Sequence, residues 1–332
     1  TERFIKSYGV YRRYIMKVIG CDLFLDLDIF NVPKHFLNEL KENYIVKEVN
    51  TYDSNDVDIS DIEIYFGNRI NLDLIERMPN LKWIHFGSVG VDKVLDMNKD
   101  IIVTNSKGTM DEALSCSALS LMFSLARGVN HCYDLRFKKD LSRNSMNEHF
   151  DKLQNLYNQK ILIVGCGSVG NKVSLVCEAM GMDVIKMTSK DDLNSLCDLV
   201  ADVDFTLNLL PYTEKTKSIF NKKVLGKMKN NSYFINVGRG ETVVEKDLVE
   251  ALQNNWIGGA GLDVFENEQK LPKSPLNDDS PLWDMNNVII TPHIAGWSND
   301  YWNKQISLFR DNLKRYEESE EMLNIINLKR GY

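Results

Sequence analysis

Gly165, Gly167 and Gly170 stand in G-x-G-x-x-G spacing inside KILIVGCGSVGNKV (160–173), after a short apolar run and before a helical pattern. A strand, a glycine turn and a helix in that order can hold a pyrophosphate. The first glycine allows the tight turn, the second lets the phosphates approach the backbone, and the third lets helix and strand pack closely. Ser168 and Val169 complete the turn, and the amides at the helix start face the anion. The spacing alone is also that of a plain tight turn; the strand–turn–helix context points to a dinucleotide.

A dinucleotide is read a second time at the end of the next strand, where an Asp or Glu about 20 residues on takes the ribose 2′-OH. That strand, DVIKMT (183–188), ends in Thr188, followed by Ser189 and Lys190. Two hydroxyls and an ammonium accept a 2′-phosphate that a carboxylate would repel. These residues favour NADP. The alternative is NAD, with Asp191 or Asp192 reaching the ribose, or with the whole stretch serving as a surface loop.

The elements that must position these residues alternate along the chain. Before the glycine turn, strand patterns MKVIG (16–20), YIVKEV (44–49), IEIYFG (62–67), KWIHFG (82–87) and IIVTN (101–105) flank helix patterns at 33–43 and 72–78. A helix apolar nearly all round follows at 111–129, which predicts burial. Residues 130–158 read as polar and irregular. A second alternation runs through strands at 160–165, 183–188, 204–210, 232–238, 258–264 and 287–292, with a helix at 246–255 and an amphipathic helix at 298–318. Strands separated by helices predict parallel sheets, here two of them. Residues 1–15 read as an extension.

Composition narrows the function. The 332 residues suit two domains. Apolar content of 43% and charged content of 26% are those of a globular protein. A net charge of −7, with no basic stripe, argues against nucleic acid and anionic membrane as partners. No run reaches the roughly 18–20 apolar residues of a membrane span. Six scattered cysteines, with no C-x-x-C pair, predict reduced thiols, a cytoplasmic location and no metal.

Three later stretches, INVGRGETVVEKDLVEAL (235–252), GGAGLDVFENEQKLPKSPL (258–276) and NVIITPHIAG (287–296), carry a resemblance. With GCGSVG and WIHFGSVGVD they are similar to the D-isomer-specific 2-hydroxyacid dehydrogenase family, glyoxylate/hydroxypyruvate reductases among them, from about residue 16 to the end. The resemblance implies an α/β fold of two doubly wound parallel-sheet domains. One is a flavodoxin-like substrate domain, residues 16–105 and 297–332. The other is an inserted Rossmann coenzyme domain, residues 106–296. It also implies a homodimer and an NAD(P)H-dependent interconversion of a small 2-keto acid with its D-2-hydroxy acid. The alternative is a dinucleotide-sensing, co-repressor-like binding protein without turnover.

Position by position, the resemblance makes Arg239, Glu268 and His293 the catalytic group. The chemistry supports it. Hydride reduction of a keto acid builds negative charge on the carbonyl oxygen, and His is the side chain suited to protonate it near neutrality. A carboxylate beside the imidazole stabilises the imidazolium and fixes its orientation. Arg239 supplies a planar fork of donors for the substrate carboxylate and the developing oxyanion. Asp263 is expected to face the nicotinamide carboxamide, or else to cap the following turn. Leu210, Pro211, Thr216 and Val237 are expected to border the cofactor. Ser88, Val89 and Gly90 form a turn whose amides can hold a carboxylate as an anion nest, with Arg239 and His293 as further substrate contacts. Asn68 and Arg69 lie on the same side, and Trp297 either shapes the substrate pocket or packs. Two departures stand out: Gln269 replaces a Pro after Glu268, and Cys116-Ser117 replaces a Glu-His or Glu-Tyr pair in the long helix.

Overall fold

The computed structural model describes residues 2–7, 10–23, 31–50, 57–91, 94, 96–97, 100–268 and 273–328. Gln269 therefore lies outside the described residues. The chain divides into two compact units, Thr1–Thr109 with Asn299–Tyr332, and Met110–Ser298.

The first unit begins with β1 (Glu2–Ser7) and β2 (Val10–Ile15), an antiparallel pair in a sheet of its own, where the sequence pattern indicates only an extension. There follow β3 (Val18–Leu23), α1 (Lys34–Lys41), β4 (Ile45–Asn50), β5 (Ile64–Gly67), α2 (Leu72–Glu76), β6 (Trp83–Phe86) and β7 (Ile102–Thr104). The sheet order is β4-β3-β5-β6-β7, all parallel. Counted from the first strand of that sheet this is 2-1-3-4-5, the flavodoxin-like doubly wound order. Every residue of β5 and β6 is buried, as central parallel strands covered on both faces require. Side-chain alternation sends Ile64 and Phe66 to one face and Tyr65 to the other. The helix Tyr301–Glu318 returns to this unit and lays Ile306, Phe309 and Leu313 on the first face. Phe309 stacks on Phe66 at 4.2 Å and on Trp83 at 5.3 Å.

Beneath those rings His85 is fully buried, with Nδ1 at 2.7 Å from Thr104 Oγ1. Burial disfavours its charged form and pushes its pKa down to about 3. An unfolded His85 binds a proton near 6.5, so between about 6.5 and 3 the unfolded chain holds the extra proton and stability falls as pH falls. We expect the wild-type melting temperature to drop between pH 7 and pH 5, and a His85→Gln variant, less stable at pH 7, to lose part of that slope. An identical slope in the variant would remove His85 as the cause.

The second unit contains α3 (Asp111–Ala126), α4 (Val129–Phe137), β8 (Lys160–Val164), α5 (Ser168–Ala179), β9 (Asp183–Met187), α6 (Leu196–Val200), β10 (Phe205–Asn208), α7 (Lys222–Leu225), β11 (Tyr233–Asn236), α8 (Glu245–Gln253), β12 (Gly259–Leu262) and β13 (Val288–Ile290). Its parallel order, β9-β8-β10-β11-β12-β13, reverses direction between β8 and β10. Ligands of open α/β sheets bind beyond the carboxyl ends of the strands at such a reversal. The apolar helix α3 buries Ala118, Leu121, Met122, Leu125 and Ala126, and joins β8, β10 and β11 side chains in one core layer.

Two expectations need correction. The long helix does not run to 129, because Gly128 takes a left-handed φ of 61° and ends it. The stretch after it is not irregular: α4 follows at once, then a 3-10 helix over Arg143–Lys152. Several strands also stop short of their apolar runs. β10 ends at Asn208, whose side chain takes the Leu210 amide at 3.1 Å, and β11 ends at Asn236, whose side chain takes the Gly238 amide at 3.1 Å.

Candidate active site

At the end of β8, Gly165 has φ +88°, and a Cβ there would lie 2.9 Å from the Leu209 carbonyl carbon. Glycine is therefore required by conformation and by space together. The Gly165 and Cys166 amides donate to Met187 O at 2.9 and 2.8 Å, which ties the turn to the end of β9. Gly167 is the N-cap of α5, and both Gly167 and Ser168 are exposed. Among the described residues, none accepts from the amides of Ser168, Val169 or Gly170. Three free donors at the positive end of a 12-residue helix fit a pyrophosphate.

Across the reversal, the loop after β10 is closed by Thr216, whose hydroxyl donates to Pro211 O at 2.7 Å and accepts from the Thr213 amide at 2.9 Å. Leu210 and Val237 are buried, and Pro211 is exposed. Thr188 is half-buried at the end of β9, with Ser189 and Lys190 exposed beyond it.

The next three strand ends carry the catalytic candidates. β10 and β11 pair Asn208 with Asn236. The buried Asn208 amide donates to Asn236 Oδ1 at 3.0 Å and to Thr242 Oγ1 at 2.7 Å. Thr242 Oγ1 in turn donates to the Arg239 carbonyl at 2.6 Å, and Asn236 Nδ2 donates to it at 3.3 Å. This buried network fixes the backbone of the Arg239 turn. Gly240 then lies so close to the Phe265 carbonyl that any Cβ would overlap it. The Arg239 turn and the segment leading to Glu268 are thus packed backbone to backbone.

That segment is held twice more. The Phe265 amide donates to Glu268 Oε1 at 3.2 Å. Val244, the N-cap of α8, has no side-chain oxygen to offer, and Glu266 Oε2 takes the Glu245 amide at 2.9 Å instead. Glu245 Oε2 takes the Glu266 amide in return at 3.3 Å, a reciprocal cap between residues 21 apart.

Glu268 meets His293. Nδ1 of His293 lies 2.8 Å from Oε2 and 3.1 Å from Oε1 of Glu268. An ionised carboxylate accepts only, so Nδ1 carries the proton and Nε2 is left for other work. No described residue bonds Nε2, and the His293 side chain is 46% exposed. His293 itself has φ 55°, an uncommon backbone for a non-glycine residue. Asp263 explains how it is held. Its buried carboxylate accepts from Thr291 Oγ1 at 2.6 Å and from the amides of Ile294 and Ala295, both at 2.9 Å. The His293 amide donates to Asp263 O at 2.9 Å. Burial raises the Asp263 pKa, and those hydrogen bonds oppose the rise. Ser117 on α3 adds a bond to the Ala295 carbonyl at 3.1 Å, so the departure at Cys116-Ser117 supports the same loop. Trp297, just beyond it, is 38% exposed.

In the first unit, Ser88, Val89 and Gly90 follow β6. Their carbonyls are taken: Ser88 O by the Ser106 amide at 3.0 Å, Val89 O by Asn105 Nδ2 at 2.6 Å, and Gly90 O by Ser88 Oγ at 3.2 Å. No described residue accepts from their amides, which leaves a row of donors, as an anion nest needs. Beside them Asp22, buried on β3, accepts from Tyr65 Oη, from the Asn68 amide and from the Arg69 amide. It fixes the turn that presents Asn68 and Arg69.

The sequence patterns leave Asp22, Asn208, Asn236, Thr242 and Glu266 unmarked. Two of these carry a signal: a polar Asn at the same point of two apolar strands, TLNLL and FINVG, is where a side chain takes over from the ladder.

Residues 119–295 match the family model for the D-isomer specific 2-hydroxyacid dehydrogenase NAD binding domain. The chain is 31% identical over 259 residues to a glyoxylate/hydroxypyruvate reductase B from Salmonella paratyphi A, spanning 74% of this chain and 77% of that one. It is 28% identical over 272 residues to a glyoxylate reductase from Korarchaeum cryptofilum, spanning 78% and 80%. Among solved structures, an NADPH-dependent glyoxylate/hydroxypyruvate reductase from Sinorhizobium meliloti, in complex with NADP and sulfate, aligns over 96% of this chain and 100% of its own, with a TM-score of 0.77 and 26% identity.

Proposed function

The chain belongs to the D-isomer-specific 2-hydroxyacid dehydrogenase family, NAD(P)-dependent oxidoreductases, and from that premise we propose that it reduces small 2-keto acids of the glyoxylate and hydroxypyruvate type. The observation that carries the reading is His293 paired through Nδ1 with both oxygens of Glu268. A bound reduced nicotinamide supplies the hydride. The protein supplies the rest. Nε2 of His293 gives its proton to the carbonyl oxygen, and Glu268 stabilises the imidazolium beforehand. Arg239 orients the substrate carboxylate and neutralises the developing oxyanion. The amides of Ser88–Gly90 are the donors offered to a carboxylate in the first unit. An imidazole poised this way favours turnover over dinucleotide sensing, because a sensor needs no proton donor.

The Met110–Ser298 unit is the coenzyme domain in this reading, and the other unit binds substrate. The free amides of Ser168–Gly170 hold the pyrophosphate. We assign NADP(H), with NAD(H) as the alternative: Ser189 and Lys190 are exposed at the end of β9, and the Sinorhizobium meliloti reductase holds NADP. The test is product analysis. Hydroxypyruvate reduced by this chain should yield the D-hydroxy acid alone; a racemic or L product would overturn the assignment. The six cysteines are unpaired, which suits the cytoplasm. No helix among the described residues is long and apolar enough to cross a membrane.

A homodimer belongs to the same proposal. Val129, Tyr133 and Phe137, at i, i+4 spacing on α4, are 51%, 54% and 71% exposed. Large apolar side chains crowded on one stretch mark a contact surface. The occupant proposed is a second copy. The chain should sediment as a dimer, and Tyr133→Asp with Phe137→Asp should give a folded monomer. A wild-type monomer, or a double variant still dimeric, would remove α4 from the interface.

A further inference from the structure

We propose that Asp191 sets this chain's choice between NADH and NADPH by occupying the donors at the end of β9 that a 2′-phosphate would need. The inference rests on the dinucleotide site assigned above.

Thr188 follows Met187, whose carbonyl holds the Gly165 and Cys166 amides, so it stands beside the glycine turn. It has two donors, its amide and its hydroxyl. Both go to one oxygen of the Asp191 carboxylate, at 2.7 and 2.8 Å. Thr188 Oγ1 also accepts from the Lys190 amide at 3.3 Å, and the Asp191 amide donates to Thr188 O at 3.1 Å. The turn is closed on itself. Thr188 therefore offers a 2′-phosphate no donor in this arrangement.

The carboxylate is ionised at neutral pH. The Thr188 amide and then the Thr188 hydroxyl hold it below the usual Asp range. A negative charge there repels a 2′-phosphate of about −1.5 to −2, yet it can accept from a ribose 2′-OH. Ser189 and Lys190, both exposed, pull the other way. Selectivity therefore depends on one carboxylate set against one ammonium. NADPH binds fully only after Asp191 leaves Thr188.

The test is equilibrium binding of NADPH and of NADH to the intact chain, followed by cofactor fluorescence with no keto acid present. Asp191→Asn removes the charge, and Asp191→Ala also frees both Thr188 donors. Each should shift the affinity ratio toward NADPH by about tenfold, and Asp191→Ala should weaken NADH as well. Lys190→Ala should shift the ratio the opposite way by a similar factor. A ratio that stays within about twofold of wild type in both Asp191 variants would overturn the proposal. Failure of wild type to bind either dinucleotide would overturn the cofactor site and this proposal together. Binding without turnover would count against the reductase reading alone, and the ratio would still decide the role of Asp191.

Discussion

His293→Gln is expected to lower kcat by about a thousandfold and to leave dinucleotide binding intact, within the range that one acid–base group commonly contributes. Glutamine keeps a polar group of similar reach but cannot deliver a proton at neutral pH. The Glu268 carboxylate would still have the Phe265 amide as a donor, so the variant should fold. The loop itself is held by Asp263 through Thr291, Ile294 and Ala295, not by the imidazole. Cofactor fluorescence titration and the reduction rate, measured on one preparation, check both halves of the expectation. A loss of less than about tenfold would remove His293 as the proton donor.

Arg239→Ala should lower kcat/KM by about a thousandfold, because in the proposed mechanism one side chain both binds the substrate carboxylate and stabilises the oxyanion. Arg239→Lys should restore little of it, since an ammonium lacks the planar fork. The loss should appear in KM for the keto acid as well as in kcat. The backbone of the turn should survive, because Asn236 and Thr242 bond the Arg239 carbonyl and not its side chain. Fold retention is checked by the melting temperature, and the split between KM and kcat by initial rates across keto-acid concentration. An unchanged KM would place Arg239 away from the substrate carboxylate.

Much of this site was legible in the sequence because single residues carry it. Gly165 is dictated by a positive φ and a backbone neighbour, and such a position declares itself as glycine. The two sheets followed from apolar runs alternating with helix patterns. What was not legible depends on partners distant in the chain. Asp263 reads from the sequence as facing the nicotinamide carboxamide or capping the following turn; that its carboxylate takes three donors from residues 28 to 32 positions later has no local mark. The Glu245–Glu266 cap spans 21 residues, and nothing local marks it. The helix break at Gly128 is hidden because helix-forming residues stand on both sides of it, and only the left-handed φ of 61° marks the stop. Asp191 shows the reverse case: its partner is only three residues away, yet that its carboxylate takes both donors of Thr188 is a matter of loop geometry that residue types alone do not show.

The most direct measurement is the rate of nicotinamide oxidation by the intact chain with glyoxylate and with hydroxypyruvate, NADPH and NADH being supplied separately, beside His293→Gln. The account predicts steady turnover of at least one keto acid in wild type and its near-complete loss in the variant. Saturable dinucleotide binding with no keto acid reduced, or equal rates in the two proteins, would contradict it.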